Sequence, residues 1–343
     1  MVRYHYLLQN QIISIIMKEF KDMKIDFVPM DNSACGMYRI RNAYEVLYDK
    51  CIAQCNGVGK YNSHGQDWIY TQRLCHPSSM EKLIKMKEET GVRIAIDFDD
   101  DVWHELPKYN RCAVHAKENY EGMSKYLNRL ADKVTCTNEF LKKNLSEFVP
   151  ESKITVIPNA LDYNRWRFDR YGSPDDTSFF YAGSPTHYDN STRDYGDFSR
   201  GVANYLAKHK VYIQGIKPWF LPKAETIGQW VPVRDYPIQF AKNALRSKFV
   251  VAPLADNEWN RNKSDLKYIE CCAVGRVCLC ANISTYECAH EFQKFSPNCT
   301  EQSFKYIVER ALKNYDMLID YQYNVLKDRW LKPDKYIELF TRD

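Results

Sequence analysis

The sequence predicts an α/β protein with two successive domains, each built around a doubly wound parallel sheet. Short apolar runs alternate with helical segments along most of the chain, which is the pattern of repeated β–α units. The alternation closes at Pro158-Asn159 and starts again at Ser178, after a polar stretch. With 343 residues the chain exceeds one ordinary core, since a domain typically holds ~100–200 residues. Length and pattern therefore both indicate two domains.

The first half contains five predicted strands, separated by helices. The strands are the apolar runs Ile25–Met30, Trp68–Gln72, Val92–Asp97, Lys133–Thr137 and Lys153–Ile157. The intervening helices are Tyr38–Asp49, Ser79–Glu89 and Tyr120–Leu130. An amphipathic helix is expected around Ile12–Met17, ahead of the first strand.

The second half repeats the arrangement with four predicted strands. These are Ser178–Ala182, Val211–Gln214, Phe249–Ala252 and Val277–Ala281. The predicted helices are Arg200–His209, Pro237–Ser247, Ser264–Val274 and a tail from Gln302 to Thr341.

Domain boundaries follow from these elements. We expect an N-terminal domain over 1–160, a C-terminal domain over 161–325, and a final helix over 326–343 that packs back toward the first domain. The segment Asp162–Ser173 (DYNRWRFDRYGS) is predicted to be a linker, although its basic and aromatic residues could also touch a polyanion. Two domains facing a cleft would bind ligands beyond the carboxyl ends of their strands.

Charge and hydropathy exclude several classes of protein. The net charge of +4 is too small for a protein that coats nucleic acid, although it tolerates an anionic ligand. No apolar run reaches the ~18–20 residues that span a bilayer, so we expect a cytoplasmic protein with no membrane partner.

The twelve cysteines do not form a disulfide or zinc pattern. Several lie inside apolar helix and strand patterns, where cysteine behaves as a small hydrophobe, and Cys51 and Cys55 are spaced as neighbours on one helix face. We therefore expect reduced thiols and no bound metal.

The most informative stretch is Phe249–Ser284 (FVVAPLADNEWNRNKSDLKYIECCAVGRVCLCANIS). A buried strand leads into a polar loop, Asp256–Lys263, and a helix then starts at Ser264 with Asp265 in its first turn. Gly275 is a suitable left-handed cap at the end of that helix. The backbone N–H groups of the helix start, its dipole and Lys263 would together attract a phosphate. An ordinary β–α–β unit with surface charges explains the same spacing.

This segment resembles the donor-binding block of retaining GT-B glycosyltransferases of family 4, in which a helix carries a Glu-x7-Glu pattern. Glu270 matches the second glutamate, which in that family holds the ribose. Asn262 stands where the first glutamate contacts the donor sugar, and this is a departure from the family. The form N-x-x-K-S-D-L-K-Y-x-E, from Asn260 to Glu270, is similar to a phage and bacterial branch in which Lys263 and Ser264 would contact phosphate.

Three further stretches of the chain resemble the same family and occur in the family's order. FFYAGSPTHYDN, from Phe179 to Asn190, is similar to the first strand and glycine loop of the donor domain. KITVIPNALD, from Lys153 to Asp162, matches the end of the N-terminal domain, and ADKVTCTNEFLKKNL lies just before it. The resemblance implies the GT-B fold, with two Rossmann-like domains facing a central cleft.

The glycine loop is expected to approach the donor diphosphate. Gly183 would allow close approach of the backbone, because it has no side chain. Ser184 and Thr186 can donate hydrogen bonds, and His187 would contact the sugar or the phosphate. Together the predicted donor-binding residues are Gly183, Ser184, Thr186, His187, Asn262, Lys263, Ser264, Asp265 and Glu270.

An acidic run, Asp97–Asp101, ends a strand of the first half and precedes Trp103-His104. Clustered carboxylates could bind Mg²⁺ or Mn²⁺, could serve a Mg²⁺-dependent phosphohydrolase, or could line the acceptor side of a transferase. A solvated acidic turn is the plain alternative. Because the run follows a middle strand, we favour the acceptor side. The predicted catalytic residues are Asp99, Asp100 and Lys263, and Asp101, Trp103 and His104 are predicted acceptor-side residues.

The loop Asp31–Arg41 (DNSACGMYRIR) follows the first strand and opens a helix near Gly36. By analogy with the resembled fold, Gly36, Tyr38 and Arg39 are predicted acceptor-side or phosphate-binding residues. A simple β–α turn accounts for the loop equally well.

The resemblance implies transfer of a hexosyl or pentosyl group with retention, from a nucleotide sugar that we expect to be a UDP-sugar, with no further cofactor. The leaving diphosphate would accept the proton of the acceptor hydroxyl. The phage-like segment and the slightly basic charge suggest a hydroxylated or hydroxymethylated cytosine in DNA as acceptor. Saccharide or protein acceptors, a non-catalytic nucleotide-sugar-binding protein, and the phosphohydrolase remain alternatives.

Overall fold

The structure is a computed structural model that describes residues 20–110, 115–166, 174–228 and 235–341. The predicted helix at Ile12–Met17 and the second part of the predicted linker lie outside these residues. The chain divides into two compact units. Unit 1 contains the chain up to Asp99, then Glu118–Pro158, then the chain from Leu331; unit 2 contains Asp100–Lys117 and Asn159–Trp330.

Unit 1 is built on a six-stranded sheet in which every pair of neighbouring strands is parallel. The strand order is β2-β1-β3-β4-β5-β6. The strands are β1 Lys24–Val28, β2 Ile52–Cys55, β3 Trp68–Gln72, β4 Arg93–Phe98, β5 Lys133–Cys136 and β6 Ile154–Val156. The helices are Ala34–Gly36, the π-helical Met37–Arg41, Asn42–Leu47, Pro77–Thr90, Ala116–Leu130, Glu139–Leu145 and Asp334–Thr341, with a 3₁₀ turn at Glu151–Lys153.

Local sequence explains where the helices of unit 1 begin and end. Pro77 opens its helix at a position where a missing N–H costs nothing, and Gly91 closes it in the left-handed conformation at φ 72°. Asn138 caps the helix Glu139–Leu145, because its side chain accepts a hydrogen bond from the Leu141 N–H. The final helix belongs to the core of this unit, because the ring of Phe340 packs edge-on against Phe27, Trp68 and Tyr70.

Unit 2 contains a second parallel six-stranded sheet, in the order β12-β11-β10-β7-β8-β9. Its strands are β7 Ser178–Gly183, β8 Lys210–Gly215, β9 Glu225–Gly228, β10 Phe249–Ala252, β11 Val277–Ala281 and β12 Lys294–Phe295. Its α-helices are Tyr163–Trp166, Arg200–Leu206, Tyr236–Ala244, Glu258–Arg261, Leu266–Val274, Glu301–Lys313 and Tyr315–Lys327. Short 3₁₀ helices lie at Pro185–His187, Ser284–Tyr286 and Glu291–Gln293.

The predicted α/β class with two doubly wound parallel sheets is confirmed, and all nine predicted strands are present within one or two residues of their predicted ends. Several local predictions are wrong. Cys51 and Cys55 do not share a helix face, because 52–55 is strand β2. The polar loop Asp256–Lys263 contains a short helix, Glu258–Arg261, which Asn257 caps through its side chain.

Several predicted helices also have different limits: Tyr120–Leu130 is observed as Ala116–Leu130, Arg200–His209 as Arg200–Leu206 and Pro237–Ser247 as Tyr236–Ala244. The helix predicted from Ser264 begins at Leu266, and the predicted single tail is three helices, interrupted at Asn314 and between Asp328 and Pro333. Pro333 explains the second interruption, because proline disfavours the helical conformation in the residue before it. None of the cysteines in the described ranges forms a disulfide.

Candidate functional site

The strand order of unit 2 defines where a ligand would bind. Strands β7 and β10 are hydrogen-bonded neighbours, yet the chain leaves them in opposite directions across the sheet: β7 leads to β8, and β10 leads to β11. In doubly wound sheets, ligands bind at such a switch point, outside the carboxyl ends of the two strands. The loops that begin at Gly183 and Pro253 leave those two ends and carry most of the predicted donor-binding residues.

The first of these loops starts from Gly183, the last residue of β7; Ser184 then precedes the 3₁₀ helix Pro185–His187, which contains Thr186 and His187. A side chain at Gly183 would overlap the hydroxyl group of Tyr181, so a larger residue there would have to displace that ring. The hydroxyls of Ser184 and Thr186 hydrogen-bond each other. The loop is therefore compact, with polar groups directly at the switch point.

His187 is held by a carboxylate that sequence analysis missed, Asp197. Its ring nitrogen Nδ1 lies 2.6 Å from Asp197 Oδ2, and the N–H of Asp197 donates to the carbonyl of His187 at 2.8 Å. Gly196 lets the chain turn back so that Asp197 reaches His187, because it adopts φ 58° and any side chain there would overlap the His187 backbone. Burial lowers the pKa of His187, helped by the positive charges of Lys263 and Lys267 and opposed by Asp197.

Asp197 connects three parts of unit 2. Besides His187, its Oδ1 accepts hydrogen bonds from the Tyr109 hydroxyl at 2.6 Å, the Asn260 amide at 2.5 Å and the Ala255 N–H at 3.1 Å. Ala255 and Asn260 lie in the loop after β10, and Tyr109 lies in the segment that follows the acidic run. Asp197 thus fixes the glycine loop against the loop that leads to Lys263.

Lys263 lies at the end of the second loop, just after the short helix Glu258–Arg261. Its ammonium group lies 3.6 Å from the centroid of the Trp259 ring and 4.0 Å from Asp100 Oδ1. The side chain is 15% exposed, so its charge is held in a partly desolvated position. A fixed cation of this kind attracts an anion more strongly than a freely hydrated lysine does.

Asn262, the departure from the family pattern, is buried beside a carboxylate from a distant part of the sequence. Its amide donates to Asp101 Oδ2 at 3.2 Å and to the carbonyl of Glu258 at 3.0 Å. Asp101 also accepts from the N–H of His104 at 3.1 Å and lies 2.8 Å from its Nδ1. The structure therefore brings Asp100, Asp101 and His104 to the Asn262–Lys263 loop within unit 2, and Trp103 is buried beside His104.

The helix Leu266–Val274 begins immediately after this loop. Asp265 is its N-cap residue but makes no capping hydrogen bond with its side chain. The carboxylate instead contacts Arg329 and accepts from the Cys288 thiol at 3.3 Å, and burial raises its pKa. Ser264 accepts a hydrogen bond from the Asn159 amide at 2.8 Å. The Asp265 side chain therefore does not cap the N–H groups of the first helical turn.

Glu270 is buried one turn into this helix. Its Oε2 accepts from the Tyr236 hydroxyl at 3.2 Å and lies 3.6 Å from the Lys267 ammonium. Burial, reinforced by the negative charge of Glu270, raises the pKa of Tyr236 well above its ordinary value. A carboxylate fixed in this way is suited to accept hydrogen bonds from two adjacent hydroxyls.

The predicted residues of unit 1 lie around its own switch point, between β1 and β3. Gly36 is expected from the sequence to open the helix after β1 but is the last residue of the short helix Ala34–Gly36, which Ser33 caps, and its N–H donates to Asp31 at 3.1 Å. Gln72, at the end of β3, donates to the same Asp31 carboxylate at 2.9 Å. Tyr38 is buried in the π-helical turn that follows.

Arg39 is not at the surface of this loop. Its guanidinium forms a two-pronged ion pair with Asp97, at 2.9 and 2.8 Å, and donates to the carbonyl of Ile157 at 2.7 Å. Tyr70 and Thr135 also hydrogen-bond the Asp97 carboxylate, and Arg39 is 1% exposed. These contacts make the pair part of the core of unit 1.

The acidic run is divided among separate partners. Asp97 pairs with Arg39, Asp99 with Arg73, Asp100 with Lys263, and Asp101 with His104 and Asn262. Burial alone would raise the pKa of Asp99, but the Arg73 guanidinium outweighs it and lowers the pKa. Within the described ranges, no group of three His, Cys, Asp or Glu side chains is arranged to hold a metal ion.

No protein-family model and no curated protein matches the sequence. Solved structures, in contrast, match nearly the whole chain. Anabaena HepE, in complex with UDP and glucose, has a TM-score of 0.66 and 10% identity, covering 94% of this chain and 100% of its own.

Two further solved structures also match nearly the whole chain. Sucrose-phosphate synthase from Thermosynechococcus elongatus gives a TM-score of 0.61 at 10% identity over 92% of this chain and 96% of its own. The apo form of the lipopolysaccharide outer core galactosyltransferase WaaB gives a TM-score of 0.56 at 10% identity. The match covers 92% of this chain and 99% of WaaB.

The chain has the GT-B fold. This confirms the fold that the sequence resemblance implied, and it accounts for two Rossmann-like units in one chain. The Gly183 loop and Lys263 lie at the switch point of the second sheet of this fold, and Glu270 lies one turn into the helix that follows. Among the described helices, none combines the length and the apolar character that crossing a membrane requires.

Proposed function

We propose that this GT-B protein is a glycosyltransferase that transfers a sugar from a UDP-sugar to a hydroxyl group of an acceptor. One observation carries the proposal: at the switch point of the second sheet, a glycine loop, a partly buried ammonium group and an uncapped helix start occur together, with a buried carboxylate one turn further along the helix. HepE, which has the same fold, was solved with UDP-glucose as well as with UDP.

The parts of the site divide between the two ends of such a donor. The diphosphate would lie between the Gly183 loop and the start of the helix Leu266–Val274, where backbone N–H groups and Lys263 supply positive potential. Glu270, held by Tyr236, would accept hydrogen bonds from the ribose hydroxyls. Charge develops on the diphosphate as the sugar leaves, so fixed positive groups there lower the barrier.

We propose that transfer proceeds with retention, as in the family that the donor segment resembles. Asp100, 4.0 Å from Lys263, is the acidic residue best placed to orient the acceptor hydroxyl beside the departing phosphate. Asp99 is bound to Arg73 and would act by holding the end of the acidic run in place. The loop at Gly36 and Tyr38 is proposed to contact the acceptor.

For the acceptor, we propose a hydroxylated or hydroxymethylated cytosine in DNA. Two features support this choice: the likeness of Asn260–Glu270 to a phage and bacterial branch, and a net charge of +4, which tolerates a polyanion. Incubating the protein with a UDP-sugar panel and with duplex DNA that contains hydroxymethylcytosine should add one sugar mass to the modified strand. Unmodified DNA and free saccharides are the comparison acceptors, and NMR of the product gives the anomeric configuration.

The function itself is tested by donor binding. A thermal-shift panel of nucleotides and nucleotide sugars should raise the melting temperature with UDP and a UDP-sugar, because a ligand that binds only the folded state stabilises it. Lys263→Ala and Glu270→Ala should each weaken UDP binding about tenfold or more, since each removes a charge-assisted contact.

Lys242→Ala and Glu287→Ala are matched controls, because both side chains are exposed on unit 2. Loss of binding in the controls as well, or no binding of any nucleotide by the wild type, would contradict the proposal. UDP-sugar binding with neither transfer nor hydrolysis would identify a non-catalytic sugar-nucleotide-binding protein.

A further inference from the structure

We infer that Asp197 is a positioning residue that fixes His187 in one tautomer, so that His187 Nε2 accepts a hydrogen bond from a hydroxyl of the donor sugar. The inference rests on the proposed function, because it assigns a role within the same donor site. It also decides between two roles for His187, a contact to sugar and a contact to phosphate.

The first step concerns which ring nitrogen carries the proton. Asp197 Oδ2 lies 2.6 Å from His187 Nδ1, and an ionised carboxylate can only accept hydrogen bonds. Nδ1 must therefore be the protonated nitrogen. The same relation between a carboxylate and an imidazole sets the tautomer in catalytic triads and metal sites.

The second step concerns the charge on the ring. A buried carboxylate needs compensation, but Asp197 already accepts from Tyr109, Asn260 and the Ala255 N–H, all of them neutral donors. Its stability does not require a cationic imidazolium. Burial and the nearby ammonium groups of Lys263 and Lys267 both lower the pKa of His187, which agrees with a neutral ring at neutral pH.

The third step concerns what Nε2 can bind. With Nδ1 engaged and the ring neutral, Nε2 presents a lone pair, and 21% of the side-chain surface is exposed. Phosphate oxygens at neutral pH are predominantly acceptors and have little to offer a lone pair. Sugar hydroxyls are donors as well as acceptors. His187 therefore matches the sugar end of the donor, whereas Lys263 matches the phosphates.

The fourth step concerns how firmly the ring is placed. Residues 187 and 197 are joined twice, through the side chains and through the Asp197 N–H to the His187 carbonyl at 2.8 Å. The intervening turn is closed by the reciprocal hydrogen bonds of Asp189 and Asp194. A ring held in this way costs little entropy to orient when the sugar binds.

The tautomer is measured directly by ¹⁵N NMR of protein labelled at histidine, with His187→Gln used to assign the signals. The wild type at pH 7.5 should show His187 with a protonated Nδ1 and a bare Nε2. In Asp197→Asn the carboxamide can donate to the ring, so the proton should move to Nε2. A wild-type ring that is protonated at Nε2, or doubly protonated, overturns the inference, and this reading requires no variant to fold beyond the one used for assignment.

Binding then separates sugar from phosphate. UDP and UDP-glucose, or the UDP-sugar that binds most tightly in the thermal-shift panel, are titrated against each variant. His187→Ala should weaken the UDP-sugar about fivefold, the effect of one lost hydrogen bond of ~1 kcal/mol, and change UDP affinity less than about twofold. Asp197→Asn should likewise weaken the UDP-sugar and leave UDP affinity nearly unchanged. His187→Gln should bind the UDP-sugar more tightly than His187→Ala does, because its amide oxygen can accept a hydrogen bond.

The outcomes distinguish this inference from the proposed function. Equal weakening of UDP and the UDP-sugar by His187→Ala would show a phosphate or purely structural contact and would overturn the inference alone. If the wild type binds neither compound, the proposed function fails and with it the sugar contact. The NMR reading would still decide whether Asp197 sets the tautomer.

Discussion

Asp97 in unit 1 and Asp197 in unit 2 are both buried among side chains from distant parts of the sequence, but the two carboxylates are compensated differently. Asp97 in unit 1 is paired with the Arg39 guanidinium, and both side chains are essentially inaccessible to solvent. Asp197 in unit 2 is equally buried, yet its partners are a phenol, an amide, a backbone N–H and an imidazole. Only the second carboxylate touches a group that reaches the surface.

The difference separates a structural carboxylate from one that serves a binding site. A buried ion pair whose members contact only protein fixes the strands and the helix that it joins, and it has no atom left for a ligand. A carboxylate stabilised by neutral donors can orient a neutral histidine without making it cationic. The acidic run, which is the most conspicuous motif in the first half of the sequence, therefore begins with a structural residue, whereas Asp197 stands in no motif at all.

The largest expected effect is on the ion pair of unit 1. Arg39→Met should reduce the free energy of unfolding by about 3–5 kcal/mol, because it leaves Asp97 buried without a counter-charge. Denaturation followed by tryptophan fluorescence can measure it, since Trp68 lies in the same core.

Two variants make this result specific. Arg41→Met, which removes a partly exposed arginine bound to Asn32, should cost under ~1 kcal/mol. Arg39→Met combined with Asp97→Asn should recover part of the loss, since the buried charge is then gone. If Arg39→Met were as stable as the wild type, Asp97 would not depend on a counter-charge, and the contrast with Asp197 would fail.

A smaller effect is expected at Asp99, which pairs with Arg73 near the edge of unit 1. Asp99→Asn should cost about 1.5–3 kcal/mol at pH 7, the range for hydrogen bonds to charged groups. Because the pKa of Asp99 is lowered in the folded protein, its contribution is present above the unfolded value of ~3.9 and is lost as the pH falls through the folded value.

Urea denaturation of the wild type and Asp99→Asn at a series of pH values tests the direction of this pH dependence. The gap between the two stabilities should be largest near neutrality and should close at acid pH. A gap that widens on acidification would mean that the carboxyl group is held in its neutral form.

The sequence was sufficient to predict the strands, because strands buried on both faces appear as continuous apolar runs. β3 (WIYTQ) and β11 (VCLCA) are fully buried and were predicted with the limits they have. The strands that were missed, β2, β9 and β12, lie at sheet edges. They are short or partly exposed, so they lack that signal.

The site was predictable only where its residues are contiguous. Lys263 and Glu270 lie within one loop–helix segment, whose polarity and spacing could be recognised directly. The Arg39–Asp97 pair joins residues 58 positions apart, and the Tyr109–Asp197 hydrogen bond joins residues 88 apart, so only the fold brings them together. The one local signal for Asp197 was Gly196 before it, a glycine that permits a turn back toward His187.

The smallest expected effect tests the neutral partners of Asp197. Tyr109→Phe removes one of the hydrogen bonds to the Asp197 carboxylate and should reduce the free energy of unfolding by about 1 kcal/mol. The charge of Asp197 and its hydrogen bond to His187 stay in place. Tyr120→Phe is the matched control, because its hydroxyl pairs with Glu147 at the surface and should contribute close to nothing. If Tyr109→Phe also moved the proton of His187 to Nε2, the imidazole would depend on the whole set of donors around Asp197, and the carboxylate alone would not set its tautomer.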